Sequence, residues 1–216
     1  MKLRLVTALV ALIAGGAQAS EYDYDYEYTN PWTTQFDLGY SELTFSRGDF
    51  ERTEDGVGAK VLFSKELPSN FRYGFDYSYF GDLTNVERYQ AYNTFYRRNV
   101  DVRDEFNLAV HSVGVNVFYD FKNQSKLTPY VGVRGGVNLL KYDEERCVTV
   151  WSGNSGCTEL YSDSETKAGV GGVLGVAYRT SPTMQWTVSG EYNYIGKIEE
   201  IKVDQYGINL GARMSF

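Results

Sequence analysis

Few residues of this 216-residue chain are suited to chemistry. His111 is the sole histidine, and Ser112 stands beside it. A serine nucleophile needs a base within hydrogen-bond reach. Neighbours in an extended chain point to opposite faces, so these two cannot act together in place. A His-x-Ser arrangement would put serine at position 113, which is Val113. His111 is therefore expected at a rim or interface, and no catalytic residue is assigned. Cys147 and Cys157 are the only cysteines. Two thiolates and one distant imidazole are too few ligands for a metal. In an exported chain such a pair is expected to form a disulfide, and neither metal nor cofactor is expected.

A larger set of charged residues shares one face of alternating segments: Asp37, Lys60, Arg72, Asp76, Asp120, Arg134, Arg179, Glu191 and Arg213. Five are basic and four acidic. An unpaired buried charge is expensive, so if that face is enclosed the groups should pair and plug the space. The alternative is a narrow water or ion path gated by the same network.

The elements that must position these groups are strands. At the C-terminus Tyr206, Ile208, Leu210, Ala212, Met214 and Phe216 alternate with Gln205, Gly207, Asn209, Gly211, Arg213 and Ser215. Period-two alternation gives a strand with one apolar and one polar face. The same pattern predicts eight strands over 32–45, 57–65, 71–80, 105–121, 129–141, 167–179, 184–195 and 203–216. In 71–80 an aromatic ladder (Phe71, Tyr73, Phe75, Tyr77 and Tyr79) stands opposite Arg72, Gly74, Asp76 and Ser78. In the first segment the parity slips at Leu43 and Phe45, which predicts a bulge or the membrane rim near Ser41.

Connections alternate in length. Glu66–Asn70, Lys122–Thr128 and Thr180–Thr183 are short; 46–56, 81–104, 142–166 and 196–202 are mostly longer. The polar face carries Gly, Arg, Asp, Asn and Gln, a poor core for a soluble sandwich. Closing the sheet with that face inward requires lipid outside. A strand of ~12 residues, tilted ~40° with ~3.3 Å rise, crosses ~30 Å. The expectation is an all-β, transmembrane, eight-stranded antiparallel up-and-down barrel over residues 32–216.

The N-terminus agrees. Lys2 and Arg4 precede an apolar run from Leu5 to Ala14, and Ala17-Gln18-Ala19 offers a cleavage site before Ser20. This reads as a signal peptide over 1–19. Removing Lys2 and Arg4 leaves 19 basic residues against 28 acidic, which argues against a nucleic-acid partner. Residues 20–31, with Glu-Tyr-Asp-Tyr-Asp-Tyr-Glu-Tyr at 21–28, are expected as an acidic periplasmic lead-in. The 19 tyrosines suit membrane–water interfaces.

Strand count, pattern, the stretch Pro129-Tyr130-Val131-Gly132-Val133 and the terminal Phe216 together resemble the barrels of the outer membrane protein A and opacity-type surface protein families. The resemblance covers residues 32–216. It implies a Gram-negative outer-membrane location with both termini periplasmic, and lipid and lipopolysaccharide as neighbours. It also implies a C-terminal signal (Tyr206, Ile208, Leu210, Met214 and Phe216) read by the barrel-assembly machinery. The small, largely plugged barrels of these families support a closed lumen, with a structural or adhesive role exerted through external loops. A small-conductance porin-like channel is the runner-up. Some small outer-membrane barrels modify lipid A, but the His111–Ser112 argument makes that reading remote.

Function is then expected in the loops. In 81–104, Tyr89, Tyr92, Phe95 and Tyr96 recur at helical spacing beside Arg88, Arg97, Arg98 and Arg103, which predicts a short amphipathic helix or an aromatic–arginine patch for a host or cell-surface ligand. Segment 142–166 is acidic, and a Cys147–Cys157 bridge would close a loop around Trp151.

Overall fold

The computed structural model describes residues 32–48, 50–94, 97–150, 154–198 and 200–216. The expected signal peptide and lead-in lie outside the described residues, as do Phe95, Tyr96 and Trp151. Eight strands follow in chain order: β1 (Trp32–Arg47), β2 (Phe50–Glu66), β3 (Phe71–Asn93), β4 (Arg98–Asp120), β5 (Leu127–Val150), β6 (Asn154–Arg179), β7 (Met184–Ile198) and β8 (Ile201–Ser215). Each pairs antiparallel with the next, and β8 closes on β1 from Thr33↔Ser215 to Ser46↔Lys202. The Phe216 amide donates to the Trp32 carbonyl at 3.0 Å, sealing the seam at its end.

Alternation sorts the side chains. Phe36, Leu38, Val61, Phe75, Val115, Val133, Val188 and Leu210 are exposed on the outer wall, while Asp37, Arg72, Asp76, Arg134 and Arg213 are buried in the lumen. Such an inversion is stable only where lipid covers the outside. Aromatic rings gather at both borders of the apolar band. Near the short turns, Trp32 stacks on Phe63 at 5.1 Å and Phe71 meets Tyr119 edge-on at 5.1 Å. Near the long hairpins, Tyr192 packs on Tyr206 at 5.0 Å and Tyr79 on His111 at 5.2 Å.

Two expectations need correction. The first concerns β1, whose pairing with β2 and with β8 runs without a register break, so there is no bulge near Ser41. Leu43 and Phe45 keep the inward parity of Asp37 and Ser41. Their apolar character reflects an apolar layer inside the lumen, not a switch to the lipid face. The real irregularities lie at Tyr79/Asp82, Glu144/Glu145 and Tyr194/Gly196. Gly81 (φ 106°) and Gly196 (φ 143°) occupy two of them, in a backbone region that a side chain disfavours.

The second correction concerns the long connections. Most of 46–56, 81–104, 142–166 and 196–202 continues the flanking strands, and the hairpins turn at their far ends. No helix forms around Tyr89 and Tyr92. Beyond the apolar band both faces of a strand meet water, so lipid no longer enforces alternation. Residues such as Val86, Val100, Val102 and Val148 still favour extended backbone, and pairing continues through Asn93↔Arg98 and Val150↔Asn154.

The wall divides above the band. The β2–β3 pairing ends at Ala59↔Tyr79 and the β6–β7 pairing at Val170↔Tyr194. Beyond these points β3–β6 rise as one four-stranded tongue. The 14 residues of β3 past Tyr79 extend it by roughly 35 Å at the usual rise and tilt.

Candidate functional site

The lumen is built in tiers. At the turn end, Arg72 Nε and Nη2 reach Asp120 at 3.2 and 3.4 Å, and Arg213 Nη1 lies 3.8 Å from the same carboxylate. Arg72 lies over the Phe118 ring at 4.0 Å and Arg213 over Tyr130 at 5.1 Å, so each planar cation has an aromatic face as well as an acceptor. Arg213 Nε donates to Gln35 Oε1 at 2.9 Å, and Gln35 Nε2 donates to both Asp37 oxygens at 2.9 Å. Gln35 thus ties this tier to the next.

In the middle tier Arg134 forms a fork on Asp76, with Nε–Oδ2 2.8 Å and Nη2–Oδ1 2.7 Å. Ser78 and Asn116 also donate to Asp76, at 2.7 and 2.5 Å. Gly114 makes room for the fork, because a Cβ there would meet the Arg134 guanidinium at 2.6 Å. Lys60 pairs with Glu191. Two small voids flank that pair, one of ≈ 20 Å³ and one of ≈ 10 Å³, each about the room of a single water.

Apolar layers interrupt the charge. Leu62, Phe118, Tyr130 and Ala177 cluster toward the turn end. Leu43, Phe80, Leu108, Val110, Leu140, Ile195 and Val203 cluster toward the hairpin end, with Phe45 and Tyr142 packed against them. Asp37, Lys60, Arg72, Asp76, Asp120, Arg134, Glu191 and Arg213 are bonded inside the lumen as expected. Arg179 lies half-buried at the turn end, with its amide donating to the Lys126 carbonyl at 2.8 Å. Sequence reading missed the neutral partners Gln35, Ser64, Ser112, Asn116, Asn138 and Gln205 and the apolar layer at the hairpin end. The inward parity of Leu43, Phe80, Leu108 and Leu140, carried through without a break, was the available signal.

His111 and Ser112 part as expected. His111 faces outward with Nδ1 2.8 Å from the Tyr77 hydroxyl. Ser112 is buried in the lumen, donating to Asn138 Oδ1 at 2.5 Å and accepting from Arg134 Nη2 at 2.8 Å. On the last strand Tyr206, Ile208, Leu210 and Met214 lie exposed on the outer wall, with Phe216 just beyond.

The tongue holds the expected loop residues, differently arranged. In a strand, residues three apart lie on opposite faces. Tyr89 therefore shares the inner face with Val102 and Asp104, whereas Tyr92 lies outside with Arg88 and Arg103. Arg97 lies in the turn and Arg98 opens β4 opposite Asn93. No single aromatic–arginine patch results among the described residues. Instead Arg146 of β5 forks onto Asp104 of β4 at 2.7 and 2.8 Å, and the Tyr89 hydroxyl donates to Asp104 at 3.2 Å. That donation from Arg146 holds the Asp104 carboxyl below the usual carboxylate range. Cys147 and Cys157 face each other across β5 and β6 and are bonded, S–S 2.02 Å. Glu145 lies beside them, but bridged sulfurs are not thiolate ligands, so this cluster is no metal centre.

Residues 66–216 match the Opacity family porin protein. The chain belongs to that family. A segment of 109 residues, half of this Opacity-family chain and 80% of its relative, is 33% identical to Protein opa of Haemophilus influenzae. Opacity protein opA57 of Neisseria gonorrhoeae is 26% identical over 125 residues, half of this chain and 53% of that protein. Among solved structures, Neisserial surface protein A superposes with a TM-score of 0.54 at 22% identity, covering 86% of this chain and 97% of its own, which supports the fold. The Opacity-family chain is an outer-membrane β-barrel of this type.

Proposed function

We propose that the protein is a non-catalytic surface barrel that displays the β3–β6 tongue to the exterior for adhesion to a host or cell-surface ligand. The observation that carries this reading is the tongue itself, a paired and cross-linked sheet standing well beyond the aromatic border at the hairpin end. A loop needed only to connect strands would not be held by an Asp104–Arg146 fork and a disulfide. In this reading the hairpin end faces outward, and the short turns and both termini face the periplasm. Lipopolysaccharide surrounds the upper border. The opacity relatives support a surface role. The outward placement of His111, away from Ser112, supports a role without catalysis.

The lumen in this reading is closed. The apolar layer at the hairpin end and the one-water voids favour this over the porin-like alternative, since a dry constriction opposes ion passage. The test of function is to trim the tongue, deleting residues 85–105 and 144–160, and to measure attachment of expressing cells to epithelial monolayers. Attachment should fall to the level of cells lacking the protein while heat-modifiable migration shows an intact barrel. Undiminished attachment would remove the adhesive role.

A further inference from the structure

At the hairpin end the inward-facing rows of β4, β5 and β6 continue above the lumen as the inner wall of the tongue. At its base lies the apolar layer of Leu43, Leu108 and Leu140, on which Tyr142 packs. Cross-strand register places Tyr142 opposite Asp163, and Phe106, Glu144 and Tyr161 in one row of β4, β5 and β6. Tyr142 and Tyr161 stack with centroids 5.6 Å apart and 26° between planes. Phe106 is 40% exposed and Tyr161 50%. Both tyrosine hydroxyls donate to Asp163 Oδ2, at 3.4 and 3.0 Å, and the Ser164 amide donates to Oδ1 at 2.7 Å.

The charge of this wall is one-sided. Arg146 is committed to Asp104, and Lys167 to Glu165 at 2.9 Å. Asp163 receives only neutral donors, and Glu144 feels the charge of neighbouring Arg146, whose guanidinium forks onto Asp104. Ring faces attract cations through their quadrupole, and two carboxylates beside stacked rings give an ammonium or guanidinium both a face to lie on and acceptors to bond. A phosphate or sulfate would face two carboxylates here, with both tyrosine hydroxyls already given to Asp163.

We propose that Phe106, Tyr142, Tyr161, Glu144 and Asp163 form a pocket for a lysine or arginine side chain presented by a protein partner. The proposal rests on the surface reading above, and it specifies the chemistry of the contact. The stem of such a side chain would lie along the rings, and its charged head would reach the carboxylates.

The test uses the mature protein refolded in phosphatidylcholine nanodiscs, with fluorescein-labelled deca-lysine and deca-arginine as probes and deca-glutamate as control. Basic peptides should bind saturably and weaken with salt. Tyr161→Ser and Asp163→Asn should each weaken binding at least tenfold. Glu145→Gln, one residue away on the opposite face of β5, should change it less than twofold. Heat-modifiable migration confirms that every variant folds. Equal loss with Glu145→Gln would mean diffuse charge attraction only and would overturn the pocket. So would unchanged binding in Tyr161→Ser, or a neutral oligosaccharide binding where the basic peptides do not. The surface reading is tested separately, by labelling Thr94→Cys on intact cells with an impermeant maleimide. Labelling only after lysis would sink the surface role and leave the nanodisc result standing.

Discussion

Arg134 and Asp76 bring opposite charges together inside the lumen, beside a void of ≈ 20 Å³. Each is almost wholly buried, and their fork is reinforced by Ser78, Asn116 and Ser112. Breaking a buried pair from one side strands the other charge, at a typical cost of ~3–5 kcal/mol. Arg134→Ala should therefore lower the urea midpoint of unfolding markedly, read by loss of the heat-modifiable band. An unchanged midpoint would mean that water enters freely and solvates Asp76. At the tongue the relevant variable is pH. Hydrogen bonding from Arg146 lowers the Asp104 carboxyl below its usual 3.8. A lowered acid contributes stability that is complete above the unfolded value and lost as pH falls through the folded one. Amide-exchange protection around Asp104 should thus hold from neutral pH to about pH 4 and decline only below it. Loss already at pH 5–6 would contradict the fork.

The hairpins belong to a larger scale, where lipid, water and backbone pairing compete. Within the apolar band, alternation is imposed by two different solvents, and sequence reading located all eight strands there. Above the band both faces are wet, pattern fades, and the expected boundaries stopped short. Tyr89, Tyr92, Phe95 and Tyr96 have helical spacing, yet backbone pairing of β3 with β4 prevailed over that periodicity and put Tyr89 and Tyr92 on opposite faces. The cysteine pair was legible, because few alternatives exist for two thiols in an exported chain. The bridge joins facing positions of β5 and β6, adjoining strands of one paired hairpin. Replacing Cys147 and Cys157 by Ser should leave barrel migration unchanged while speeding proteolysis and amide exchange of residues 142–166. Intact-mass measurement should show two thiols fewer in the native protein than after reduction. A collapse of the whole barrel in the double variant would assign the bridge a larger part than the tongue.

For the whole molecule the question is whether the barrel conducts. Charged tiers alone would leave that open, but an apolar layer crosses the lumen at the hairpin end and another lies among the turn-end charges. The refolded protein should be silent in planar bilayers, and Arg134→Ala and Glu191→Ala should not raise steady channels. Stable openings altered by either substitution would promote the channel reading. By itself the sequence determined the barrel, its strand count, its closing strand and the charged residues of its inward face, because period-two alternation between lipid and lumen is written into neighbouring residue types. Only the tertiary structure decided which inward charges meet, that Leu43 and Phe45 join a layer across the lumen, and that four consecutive strands build one tongue with an acidic aromatic wall. These depend on register around the whole barrel, and a pattern read along one strand fixes which face each residue takes but leaves its height against the next open by steps of two residues.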